Sequence, residues 1–279
     1  MNKPARAACI IGWPARQSRS PRLHGYWIRR YAIDGDYRIE ERRPEEFAAF
    51  VSGLAAHGYV GANVTMPHKD AAFALSRPDA RAQAVGAANT LWLEGGELRS
   101  TNTDVEGFID ALDHSAPGWD RLSRAAVVLG AGGTGRAIAY GFLERGIAEV
   151  HVVNRTRAKA EEMRARFGSA IHPATWEDLP RLLGETRLLA NATSIGMAGK
   201  DALDIDLSPM PQGSVVGDAV NVPLVTPLLD AALRRGFRTS NGLEMLLRQA
   251  VRGFELWFGV RPEVTDELRD LVAADIPRR

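Results

Sequence analysis

Several short segments of this 279-residue chain hold residue types that do chemistry. Gly130, Gly132 and Gly135, in Gly130-Ala131-Gly132-Gly133-Thr134-Gly135, follow the apolar run Ala125–Leu129 and precede an apolar helical pattern reaching Gly146. Glycines at this G-x-G-x-x-G spacing also mark ordinary turns, but the strand–turn–helix setting is the one a dinucleotide site requires. The first glycine permits the tight turn, the second lets backbone N–H groups approach a pyrophosphate, and the third lets helix pack on strand. The helix N-terminus adds partial positive charge. The next strand, Glu149–Val153, ends in Asn154-Arg155-Thr156-Arg157-Ala158-Lys159, with no carboxylate before Glu161. An NAD site places an acid there for the ribose 2′-hydroxyl; Arg155 and Lys159 suit a 2′-phosphate instead. NADP is the expected cofactor.

Three further clusters are polar. Ser18 and Ser20 sit two apart in the loop after the first strand, a spacing that in extended backbone points both hydroxyls one way. Paired hydroxyls suit a carboxylate, while Ser20 also suits capping of the helix that Pro21 begins. Trp13, beside them, is either core or a cover for a ligand. Thr65 and Lys69 follow a short buried strand, the place where open α/β sheets put ligands. A lysine in the first turn of a helix opposes the dipole, which weakens a purely structural reading. Composition points the same way: of 35 basic residues, 31 are Arg and only Lys3, Lys69, Lys159 and Lys200 are Lys, so a retained lysine stands out. Asn-Thr recurs at Asn89-Thr90 and Asn102-Thr103, each at a strand edge, and Asp104 either caps the following helix or faces a ligand.

The elements that must position these groups alternate strand and helix throughout. The expected strands are 8–11, 61–64, 125–129, 149–153, 188–190 and 215–217, and the expected helices are 21–32, 44–57, 226–236 and 243–258. Such alternation predicts α/β architecture with mostly parallel sheets. Residues 1–104 with 243–279 are expected to form a substrate domain, and 105–242 an inserted Rossmann-type domain. Net charge +1 excludes nucleic-acid or membrane partners chosen by bulk electrostatics. No apolar run is long enough to span a bilayer and no secretory signal is visible. One cysteine, Cys9, excludes an intrachain disulfide, and six histidines without ligand spacing predict no metal. A cytoplasmic location follows as the expectation.

These residues together resemble the shikimate dehydrogenase family. The likeness runs through Ser18-x-Ser20-Pro21, Asn63-Val64-Thr65-x-Pro67-x-Lys69, Gly86-Ala87-x-Asn89-Thr90, Asn102-Thr103-Asp104 and the glycine loop. It continues through Asn154-Arg155-Thr156, Asn191-Ala192-Thr193, Thr226-Pro227-Leu228-Leu229 and Asn241-Gly242-Leu243-x-Met245 to Gln249. The resemblance implies reversible, NADP-dependent reduction of 3-dehydroshikimate to shikimate, a step of aromatic amino-acid biosynthesis. It implies a catalytic pair, Lys69 and Asp104; a carboxylate site, Ser18 and Ser20; and ring-hydroxyl contacts from Thr65, Asn89, Asp104 and Gln249. Gly130, Ala131, Gly132, Gly133, Thr134, Asn154, Arg155, Thr156 and Lys159 would bind the cofactor. Thr193 would lie near its ribose, and Ala219, Val220 and Gly242 at its nicotinamide end.

Three positions depart from the family pattern. Gln17 stands where histidine is usual, Gly25 where asparagine is common, and Asn221 where a tyrosine usually contributes to the substrate pocket. Loss of that aromatic hydroxyl enlarges the pocket and costs about 1–3 kcal/mol if unreplaced. The alternatives are therefore a paralogue oxidising quinate or another cyclic polyol carboxylate, and a catalytically inactive NADP-binding sensor.

Overall fold

The structure is a computed structural model describing residues 6–277; Lys3 lies outside the described residues. The chain forms two compact units: the chain up to Thr103 with Gln249–Ala274, and Asp104–Arg248 with the residues from Asp275 on. The sequence pattern alone puts the crossings after residues 104 and 242.

The first unit holds β1 (Arg6–Gly12), α1 (Ser20–Arg30), β2 (Gly35–Glu41), α2 (Pro44–Ser52), β3 (Tyr59–Val64), α3 (Lys69–Ala74), β4 (Arg77–Pro78), α4 (Ala80–Val85), β5 (Thr90–Glu94) and β6 (Glu97–Thr101). Its sheet runs β2-β1-β3-β5-β6-β4. The pairs of β1 with β2 and β3, and of β4 with β6, are parallel; β5 lies antiparallel to both β3 and β6. Alternation of side chains divides β1 cleanly. Ala7, Cys9 and Ile11 pack with Phe47, Val51 and Leu54 on one side, where burial pushes the Cys9 thiol pKa far up. Ala8 and Ile10 face the other way.

Local chemistry sets the boundaries. Helix α2 ends at Ser52 rather than continuing to residue 57: Gly53 closes it, and the following turn ends at Gly58 with φ +81°. Strand β2 escapes the sequence pattern because it is an edge strand of polar residues, Gly-Asp-Tyr-Arg-Ile-Glu-Glu, in which only Tyr37 is buried. Ion pairs occupy its outer positions, Arg38 to Asp36 and Arg42 to Glu40, each at 2.6 Å.

The second unit holds α5 (Asp104–Ser115), β7 (Ala125–Leu129), α6 (Gly133–Glu144), β8 (Glu149–Val153), α7 (Arg157–Phe167), β9 (Ile171–Ala174), α8 (Leu179–Glu185), β10 (Leu188–Asn191), β11 (Val215–Asp218), α9 (Pro227–Arg234), β12 (Arg238–Ser240) and the first part of α10 (Gly242–Phe258). The remainder of α10, and α11 (Asp266–Ala273), belong to the first unit. The sheet of the second unit runs β12-β11-β10-β7-β8-β9 and every pair is parallel. This is the doubly wound order, with its reversal between β7 and β10. Helices cover both faces, so Val127, Val128 and Leu129 are fully buried and the strand reads as one apolar run. Trp119, Phe142 and Ile138 pack on one face; Leu182, Leu228 and Leu229 pack on the other.

Candidate active site

In the first unit, β1 lies between β2 and β3, so its chain order also reverses there. Ligand-binding loops collect at the carboxyl ends of strands at such a reversal. The loops after β1 and β3 are joined here. Thr65 N–H donates to Ile11 O at 2.9 Å, and Trp13 N–H donates to Met66 O at 3.0 Å. Gly12 permits the approach, since a Cβ there would overlap the Thr65 methyl and lie 3.3 Å from Met66 O. Trp13 is 41% exposed beside this junction, with the Arg43 guanidinium over its ring, so it is not core.

The two serines do not lie on extended backbone. Ser18 closes a turn through its N–H to Ala15 O at 2.9 Å, and Arg19 at the helix N-cap has φ −90° and ψ −5°. Nor does Ser20 cap the helix. It is the first helical residue, 2% exposed, and its N–H donates to Ser18 Oγ at 3.2 Å. That bond uses a Ser18 lone pair and leaves the Ser18 hydroxyl hydrogen available to an acceptor such as a carboxylate.

Lys69 opens α3, and its carbonyl accepts the Ala88 N–H at 3.0 Å, which ties it to the segment carrying Asn89. Asn89 is 3% exposed; its Nδ2 donates to Thr103 Oγ1 at 3.0 Å and to Gln249 Oε1 at 3.4 Å, while its Oδ1 accepts Thr103 N–H at 2.8 Å. The first unit thus gathers Asn89 and Gln249, 160 residues apart in sequence. His68, before the lysine, is held by Arg42 O at 2.7 Å and stacks on Phe47 at 4.4 Å; burial lowers its pKa, so it stays neutral. Asp104 is the first residue of α5 and of the second unit, and is 5% exposed.

In the second unit the glycine loop behaves as three different positions. Gly130 has φ +100°, a left-handed conformation that favours glycine. Gly135 must lack a side chain, because a Cβ would overlap Gly130 O and lie 2.8 Å from Gly130 C. A Cβ at Gly132 would meet nothing within 4 Å, so only an approaching ligand would need that space. Asn154 Oδ1 accepts the Ala131 N–H at 3.2 Å and its Nδ2 donates to Thr156 O at 2.8 Å, tying this loop to the one after β8. Arg155 and Lys159 are exposed, whereas Arg157 is engaged by Glu161 at 3.2 Å. Lys159 also lines a pocket of about 500 Å³ with Arg136, Glu162 and Arg166, between α6 and α7. Glycine cradle, carboxylate-free strand end and flanking cations fit a 2′-phosphorylated dinucleotide.

The loops after β10 and β11 are held by a carboxylate that sequence reading passed over. Asp218 accepts from Asn191 Nδ2 at 2.9 Å, Val220 N–H at 3.0 Å and Thr226 Oγ1 at 2.7 Å. Burial outweighs these bonds and pushes its pKa up to about 6. Asn191 Oδ1 in turn accepts the Thr193 N–H at 3.0 Å and hydroxyl at 2.8 Å. Gly242 N–H donates to Val220 O at 3.2 Å, and a Cβ at Gly242 would lie 2.6 Å from Ala219 O. Ala219, Val220 and Gly242 therefore come together, and Asn221 follows on the same partly exposed loop. Arg136 and Asp218 carry no local motif that would have singled them out. Among the described residues, no group of three or more His, Cys, Asp or Glu is arranged to hold a metal, and no helix is long and apolar enough to cross a membrane.

Comparison with known proteins agrees with this architecture. Residues 10–91 match the shikimate dehydrogenase substrate binding domain, 117–197 the shikimate / quinate 5-dehydrogenase model, and 242–266 the shikimate 5′-dehydrogenase C-terminal domain. The chain is 59% identical over 271 residues to the shikimate dehydrogenase (NADP(+)) of Rhodopseudomonas palustris strain TIE-1, covering 97% of each chain. The crystal structure of shikimate 5-dehydrogenase from Thermus thermophilus in complex with NADP(H) and shikimate superposes with TM-score 0.84 at 30% identity, covering 96% of this chain and 99% of that one. Quinate dehydrogenase from Corynebacterium glutamicum in complex with NAD gives TM-score 0.87 at 26% identity, over 97% and 99%. With identity this high over nearly the whole length, the chain belongs to the shikimate dehydrogenase family.

Proposed function

We propose that this protein catalyses the NADP-dependent, reversible reduction of 3-dehydroshikimate to shikimate. The observation that carries the proposal is the joining of the β1 and β3 loops, the segments that lead into Ser18, Ser20, Thr65 and Lys69, at one sheet reversal in a chain of this family. Ser18 and Ser20 offer hydroxyl donors to the substrate carboxylate, and Thr65, Asn89 and Gln249 supply polar groups for the ring hydroxyls.

Bound NADPH supplies the hydride that reduces the ring ketone. Lys69 then meets the negative charge that develops on the carbonyl oxygen and delivers a proton to it. Asp104 is proposed as the carboxylate member of the catalytic pair, a residue type suited to proton exchange. On the cofactor side, the start of α6 at Gly132–Thr134 would face the pyrophosphate, and Arg155 and Lys159 would take the 2′-phosphate. The Gly132 position supports this assignment, because its open space serves a close-approaching ligand and not the packing of the protein.

Asn221 favours a second reading, activity on quinate or a related cyclic polyol carboxylate. Initial rates with shikimate, quinate and related acids at saturating NADP separate the two through kcat/KM. Preference for shikimate supports the first; preference for quinate replaces it with the second. No turnover of any member would reject both in favour of a cofactor-binding sensor.

A further inference from the structure

Strand β2 lies at the sheet edge, and its last residue, Glu41, is paired in parallel register with Gly12, the last residue of β1. The proposed reaction gives Glu41 no role, yet its side chain reaches the loop that leaves β1. Glu41 Oε1 accepts two consecutive backbone N–H groups, Ala15 at 3.0 Å and Arg16 at 3.2 Å, and Oε2 accepts from Arg16 Nε. Ala15 is buried, so its N–H needs a partner within the protein. The Glu41 side chain is 17% exposed and that of Arg16 86%. An ion pair so open to water adds little, whereas N–H groups bonded to a carboxylate are held firmly.

These bonds begin a chain that ends at the serines. Ala15 O accepts the Ser18 N–H at 2.9 Å, and Ser18 Oγ accepts the Ser20 N–H at 3.2 Å. Ala15 is therefore held at both polar groups, its N–H by Glu41 and its carbonyl by Ser18. Arg19, between the two serines, donates to Val272 O on α11 at 3.1 Å. The next residue of the chain after Glu41 holds both neighbouring loops. Arg42 N–H donates to Gly12 O at 3.2 Å, and Arg42 O holds His68, the residue before Lys69, at 2.7 Å. A ligand-binding loop keeps one geometry only when contacts of this kind support it.

We propose that Glu41 is a positioning residue for the substrate carboxylate. Its carboxylate fixes the turn from Ala15 to Ser18, so the Ser18 hydroxyl is already in place when the substrate arrives and no ordering of the loop has to accompany binding. This rests on the reading of Ser18 as a carboxylate contact.

The test measures KM for shikimate, KM for NADP, kcat and Tm on Glu41→Ala, Glu41→Gln, Arg16→Ala and Ser18→Ala, and on the double variant Ser18→Ala with Glu41→Ala. Glu41→Ala frees both N–H groups and should raise KM for shikimate about 3- to 10-fold, with kcat within about twofold and KM for NADP at the wild-type value. Glu41→Gln keeps a carbonyl oxygen for the two N–H groups and should recover most of that loss. Arg16→Ala removes only the exposed ion pair and should leave KM within about twofold of wild type. Ser18→Ala should raise KM for shikimate, and adding Glu41→Ala to it should raise KM by less than it does in the wild-type background. A wild-type KM in Glu41→Ala, with Ser18→Ala impaired, overturns the proposal and leaves the reading of Ser18 standing. An increase as large in Glu41→Gln, in Arg16→Ala or in the Ser18→Ala background overturns it too, as does an equal rise in KM for NADP. An unchanged KM in Ser18→Ala removes the carboxylate contact and takes the proposal with it.

Discussion

Gly132 and Gly135 belong to one motif yet are required for opposite reasons, and replacing each by alanine separates them. Gly135→Ala puts a methyl into the Gly130 carbonyl group, with Gly130 C only 2.8 Å away. Backbone cannot rotate aside as a side chain can, so the start of α6 must lift from β7. Overpacking of this kind costs about 1–3 kcal/mol, and contact with backbone places this case at the upper end. For a domain of this size, 1 kcal/mol is about 2–4 °C, so Tm should fall by about 6–12 °C, and cofactor affinity should fall with it. Gly132→Ala meets no atom within 4 Å and sits at φ −79°, ψ −172°, which alanine adopts readily. Its Tm should stay within about 2 °C of wild type. Its methyl instead occupies the space a pyrophosphate needs, and NADPH affinity should fall at least about tenfold, or about 1.4 kcal/mol. Thermal melts without cofactor, paired with NADPH fluorescence titration, read both quantities. Wild-type NADPH affinity in Gly132→Ala, or an unshifted Tm in Gly135→Ala, would refute the assignment of roles within the loop.

Three other outcomes follow from named groups. Arg155→Ala should lower affinity for NADPH while leaving NADH unchanged, and equal loss for both would remove Arg155 from the 2′-phosphate. Asp218 carries a folded-state pKa raised from 3.8 to about 6, so its contribution to stability is full below 3.8 and is lost as pH rises to about 6. That loss is about 3 kcal/mol at neutral pH, and Asp218→Asn should abolish this slope in denaturant titrations between about pH 4 and 6. His24 behaves oppositely: burial lowers its pKa from 6.5 to about 3, so stability present above 6.5 is lost as pH falls. At about pH 4.5 the loss is about 3 kcal/mol, and His24→Phe should flatten it. The two windows overlap with opposite sign, so each is read as the difference between wild type and its own variant.

The second unit was more legible than the first, for a physical reason. Strands such as Ala125–Leu129 are covered on both faces and so announce themselves as unbroken apolar runs. Strand β2 has one buried side chain in seven residues, and no period is visible in it. The hairpin of β5 and β6, joined at Gly95-Gly96, turned part of a sheet expected to be mostly parallel antiparallel. At the candidate site, groups on short loops could be picked out by type and spacing, as Ser18, Lys69 and Arg155 were. The conformation around Ser18 and Ser20 could not, because it depends on a turn closed by Ala15. Tyr37 and Asp218, which reach across strands to Asn63 and Asn191, carry no local signal because register and burial alone bring them there.

The proposed reaction concentrates its chemistry on Lys69. A compact ammonium both stabilises the developing alkoxide and gives it a proton, whereas guanidinium stays charged at neutral pH and cannot. The decisive measurement is kcat for NADPH oxidation with 3-dehydroshikimate by wild type, Lys69→Ala and Lys69→Arg, with NADPH affinity measured alongside. Wild type should turn over, and both variants should lose about 10²-fold or more in kcat while binding NADPH normally. A fully active Lys69→Arg enzyme would contradict proton delivery by this residue.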